Sequence, residues 1–95
     1  MPGYELIDNK EFSQIREIFK KSKTLFRMGF DNQRKGIFKV SEFEKKFARK
    51  MNSKYSLAVT SGTAALRVAL ATLNLQKGDE VITQSFTFVA TVEAI

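Results

Sequence analysis

The residues best suited to chemistry are Ser61, Gly62 and Thr63, in the stretch "LAVTSGTAALRVAL". They stand where an apolar segment (Leu57, Ala58, Val59) passes into a run rich in Ala and Leu. The first N–H groups of a helix have no intrahelical acceptor, and the helix dipole adds partial positive charge there. A helix that starts at this turn is a prepared anion site, and phosphate is the usual guest. Gly62 lets the backbone approach a ligand without a Cβ in the way, the hydroxyls of Ser61 and Thr63 add donors, and Ala64 and Ala65 keep the first turn small. The same residues equally suit a plain N-cap by Ser61 or Thr63 with no ligand. Two phosphate loops are excluded. "VTSGTAAL" lacks the second Gly and the Lys-Ser/Thr pair of a P-loop, and its single Gly does not make the dinucleotide fingerprint.

A second polar cluster, Gln84-Ser85-Phe86-Thr87-Phe88, follows about twenty residues later. An aromatic ring at Phe88, or at Phe86, suits offset stacking on a flat heteroaromatic ring whose phosphate is held at Ser61 to Thr63. A phosphorylated aromatic cofactor satisfies both clusters. Core packing at alternate positions of an extended segment explains either Phe taken alone.

The elements that would position these clusters follow from the pattern. Tyr55 to Thr60 is short and continuously apolar at its centre, which predicts a strand buried on both faces of a sheet. Thr63 to Asn74 predicts a helix closed by Gly78, and a second strand starts at Val81. Strand, helix, strand implies a parallel pair with a right-handed crossover, an α/β fold. Ligands bind such sheets outside the carboxyl ends of the strands, and both clusters fall on that edge. Upstream, Phe12, Ile15, Ile18 and Phe19 predict an amphipathic helix over Asn9 to Lys21. "KTLFRMGFDNQRKGIF", interrupted by Gly29 and Gly36, predicts an extended arm or loop. Ser41 and Glu44 have capping-box spacing ahead of a helix running to about Lys50, with Phe43, Phe47 and Met51 on its core face.

Composition narrows the classes. The 95 residues contain no Cys and no His, so a disulfide framework, a thiolate metal site and the commonest general base are all missing. Neither a membrane span nor a signal peptide is legible, so a cytoplasmic setting is expected, with no metal and no membrane partner. The net charge is +6, and fourteen of the sixteen Lys and Arg precede Tyr55, leaving only Arg67 and Lys77 after it. Interspersed acidic residues make that half a solvated face, and no nucleic-acid partner is expected. The chain stops at Ile95 in "FVATVEAI" with no cap, Gly or polar tail, so a truncated chain is expected.

The stretch "SGTAALRVALATLNLQKGDEVITQSFTFVATVEAI", preceded by "VSEFEKKFARKMNSKYSLAVT", resembles the start of the large domain in the DegT/StrS family of pyridoxal-phosphate-dependent sugar aminotransferases. The resemblance covers residues from about Val40 to Ile95. It implies a fold-type-I enzyme, incomplete here, with residues 1–36 as an N-terminal helix and extended arm and residues 37–95 as the beginning of the cofactor-binding large domain. It also implies that Gly62, Thr63 and Ala64, supported by Ser61, bind the phosphate of pyridoxal 5'-phosphate, and that Phe88 stacks on the pyridine ring. Gln84 departs from the proline more often seen before that Ser. The implied reaction moves an amino group, usually from glutamate, to a keto sugar in a homodimer. It needs a lysine that forms a Schiff base with the cofactor. No lysine here sits in that motif, so no catalytic residue is named and the 95 residues alone are expected to be inactive. The arm, with "MPGYEL" and "LFRMGFD", is similar to enzymes that aminate an octulosonic acid derivative. Two other classes stand beside this one: a noncatalytic phosphate-ligand module, and a basic helical nucleic-acid binder that leaves everything after Tyr55 unexplained.

Overall fold

A computed structural model describes residues 3–95, which divide into two compact units, one ending at Ser56 and the other Leu57–Ile95. In the first unit a 3-10 turn at Tyr4–Leu6 leads into α1 (Asn9–Glu17), which continues as a π turn over Ile18–Ser22. α1 starts where Asp8 caps it. The Asp8 carboxylate accepts from the Lys10 N–H at 2.6 Å, and Glu11 reaches back to accept from the Asp8 N–H at 2.8 Å. The Asp8 N–H, and after it Glu11's own N–H, hold the Glu11 carboxyl below its ordinary value. The π turn ends at Lys23, whose φ of 53° is left-handed. One helical turn, α2 (Asp31–Arg34), and then α3 (Lys39–Lys50) complete the unit.

Phe38 is the N-cap residue of α3, and no side chain caps the helix. The capping box expected at Ser41 and Glu44 is therefore not formed. Ser41 already lies inside the first turn, and Glu44 accepts instead from Arg27 at 2.5 Å, a partner seventeen residues away. Charged side chains join α3 to α1: Lys39 Nζ donates to Glu17 Oε2 and to Gln14 Oε1, both at 2.7 Å. Phe43, Phe47 and Met51 share one face as the spacing demands, with the two rings 5.7 Å apart, but that face is exposed rather than buried.

The second unit is built on α4 (Gly62–Ala71) and α5 (Val89–Ala94), which pack on each other. α4 is shorter than expected. Its last turn tightens, with the Leu73 N–H donating to the Leu70 carbonyl and the Thr72 hydroxyl to the Ala69 carbonyl. Asn74, at φ 51°, takes the left-handed position expected of Gly78. Gly78, at φ 104°, serves a separate turn in which the Asp79 N–H donates to the Gln76 carbonyl.

The expected strands at Tyr55–Thr60 and from Val81 are irregular segments, and no strand occurs among the described residues. Parallel strands need neighbours on the ladder and cover on both faces, and two segments alone supply neither. Ile82, 97% exposed, shows that missing cover. Among the described residues the only buried apolar side chains are Ala48 and Ala90. No helix of the described residues is long and apolar enough to cross a membrane.

Candidate functional site

The turn at the head of α4 has the form that its sequence predicts. Ser61 is extended, at φ −161° and ψ 165°, and its Oγ accepts from the Ala64 N–H at 3.1 Å. Its carbonyl accepts from the Ala65 N–H at 3.0 Å. Ser61 is thus the N-cap, and Thr63 is not. Capping consumes the Ala64 donor but leaves the N–H groups of Gly62 and Thr63 with no acceptor among the described residues. A Cβ placed on Gly62 would meet nothing within 4 Å, so the space over this turn is open. The first turn of α4 carries no acidic residue to compete for that space.

These groups form a donor set. It comprises two backbone N–H groups, the hydroxyls of Ser61 and Thr63, and the positive end of a ten-residue helix. Ser61 can accept from Ala64 and still give its own proton outward. A phosphate dianion matches this set in charge and in hydrogen-bonding sense, because it accepts wherever the turn donates. The residues present therefore fit the phosphate end of pyridoxal phosphate. Cap and anion site, which the sequence left as alternatives, are compatible here.

Phe88 is the N-cap residue of α5, with φ −69° and ψ 139°, and is 76% exposed. Phe86 is 96% exposed. Neither ring packs into a core, so the core-packing explanation is not realised for either. The segment between them is tied down at one point, where the Thr87 hydroxyl donates to that of Thr91 at 3.1 Å. Ser61, Gly62, Thr63 and Ala64 lie on one continuous turn, and Phe88 heads the helix packed with α4. No hydrogen bond or ring contact joins Phe88 to that turn among the described residues.

A sequence model of the DegT/DnrJ/EryC1/StrS aminotransferase family matches residues 11–95. The chain belongs to this family. The match takes in α1 from Glu11 onward, both polar clusters and all of α2 to α5. Curated members with similar sequences include a GDP-perosamine synthase of Escherichia coli O157:H7, 43% identical over 56 residues. Another is a Bacillus subtilis (strain 168) protein, EpsN, whose name carries the words pyridoxal phosphate-dependent aminotransferase, 48% identical over 56 residues. A GDP-perosamine synthase of Vibrio cholerae is 41% identical over 56 residues. Each alignment covers 59% of this chain but only 14% to 15% of the relative. Aminotransferases of this family generally depend on pyridoxal phosphate.

Pattern reading missed the Asp8–Glu11 box, although Asp and Glu three apart ahead of the Phe12 periodicity is its signal. It also missed Arg34, which is buried, and no local pattern marks that residue.

Proposed function

We propose that this chain supplies the phosphate and ring-face contacts of a pyridoxal-phosphate-dependent aminotransferase that moves an amino group from glutamate to a keto sugar. One observation carries the proposal: the open N–H pair of Gly62 and Thr63, at a Ser61-capped helix start with clear space above it, in a chain of this family. The bound cofactor supplies an electron sink at the carbon that carries the amino group. Ser61 fixes the turn and turns its hydroxyl proton toward the phosphate. Gly62 and Thr63 donate their N–H groups, and Ala64 offers a small side chain beside them. Phe88 lies against the pyridine ring and keeps water from that face.

The remaining assignments follow the same proposal. Residues 1–36 form the arm and residues 37–95 begin the large domain, in which Tyr55–Thr60 and the segment from Val81 become neighbouring parallel strands once further strands pair with them. The working protein is a cytoplasmic homodimer. Its acceptor is a keto sugar, either nucleotide-linked, as the GDP-perosamine synthases suggest by name, or an octulosonate, as the arm suggests.

The test uses deoxypyridoxine phosphate, an aldehyde-free analogue that cannot react with surface lysines, alongside the same compound without phosphate. Tighter binding of the phosphorylated compound, by about tenfold for two charge-assisted hydrogen bonds, is the expected result. Gly62→Val should remove most of that difference by filling the space above the turn. Equal binding of the two compounds refutes the assignment.

A further inference from the structure

Arg34 is 4% exposed, and no carboxylate faces it among the described residues. A buried guanidinium is unfavourable unless its donors are satisfied. Here backbone carbonyls satisfy them: Nε donates to the Gly29 carbonyl at 2.5 Å, and an Nη donates to the Phe26 carbonyl. The guanidinium carbon also lies 5.2 Å from the centre of the Phe38 ring. One side chain on α2 therefore holds two carbonyls of the loop 26–30, those of Phe26 and Gly29, and the N-cap residue of α3.

The loop held this way is not a relaxed one. Gly29 has φ 78° and Phe30 has φ 57°, a left-handed conformation that a Phe adopts only when its surroundings impose it. The rings of Phe26 and Phe30 stack at 5.4 Å across the closed loop. The closed loop places Arg27 beside Glu44 of α3, and Met28 and Gly29 line a hollow of about 310 Å³ together with Phe38 and Ser41.

We propose that Arg34 is the latch of this loop, a positioning residue that keeps residues 26–30 in one closed conformation, so that the hollow and the Arg27–Glu44 pair exist only while the latch is made. The latch depends on the planar fork of Arg, which meets two carbonyls and a ring at once. Lysine keeps the charge but not that geometry.

Trypsin reads the latch directly, because Arg27 lies inside the loop. In the 95-residue chain, Arg34→Lys should raise cleavage after Arg27 about tenfold, since cleavage follows the population of the open form, while cleavage after Lys45 and Lys46 within α3 stays unchanged. Phe38→Leu keeps Arg34 and removes only the ring beneath it, and should raise cleavage after Arg27 by a smaller factor. Unchanged cleavage after Arg27 in both variants overturns the proposal. So does a rise that is equal at Arg27 and in α3 in both variants, because Arg34 would then support the whole unit rather than latch the loop.

Discussion

Ser61→Ala removes the acceptor of the Ala64 N–H and adds a third unmet donor to the head of α4. Lost N-caps of this kind typically cost about 1 kcal/mol, whereas Ser61→Gly costs a few tenths. Thermal unfolding followed by circular dichroism should rank the variants as wild type, Gly, then Ala. An Ala variant as stable as wild type would mean the cap contributes nothing. The residue scale is where sequence reading worked best, for a physical reason. An N-cap is made by residues within three positions of one another, so "TSGTAA" already contains both partners. Glu44 shows the opposite case: its spacing from Ser41 predicts a capping box, but Arg27, far away in sequence, holds its carboxylate. Nothing local reports that competition.

α1 and α3 are fastened by Glu17, whose carboxylate accepts from Lys39 at 2.7 Å and from Lys21 at 2.9 Å. The Lys39 hydrogen bond, followed by that from Lys21, pulls its pKa from the usual 4.5 down to about 2. The Lys39 ammonium is shifted upward by the same bond. A lowered carboxyl pKa stabilises the folded form fully above pH 4.5, and that contribution is lost as pH falls from 4.5 through about 2. Solvent screening keeps it modest. Titrating helix content through this range should show a larger loss in the wild type than in Glu17→Gln, which keeps the part that Glu11 contributes, and identical profiles would show that the bridge holds nothing. At this scale the helices were legible, because an amphipathic period or an Ala-rich run needs no distant partner. The strands were not, because a parallel strand is made by its neighbours. Leu57 to Val59 has strand composition but forms no strand.

Across the whole molecule, apolar side chains stay exposed on both units: Phe12, Ile15, Phe19, Phe43 and Phe47 in the first, Ile82, Phe86 and Phe88 in the second. Surfaces of this kind mark interaction sites or aggregation. The chain should bind a hydrophobic dye at neutral pH and associate further as salt screens its +6 charge. A monodisperse, dye-silent chain would contradict that expectation. Association at high salt calls for dilute, low-salt conditions in the decisive measurement, a nuclear magnetic resonance titration with deoxypyridoxine phosphate. The amide signals of Gly62 and Thr63 should shift most, together with the ring protons of Phe88, and the phosphate-free compound should leave the two amides in place. Shifts confined to the lysine-rich residues before Tyr55, with Gly62, Thr63 and Phe88 unmoved, would contradict the assignment of this turn as the cofactor-phosphate site.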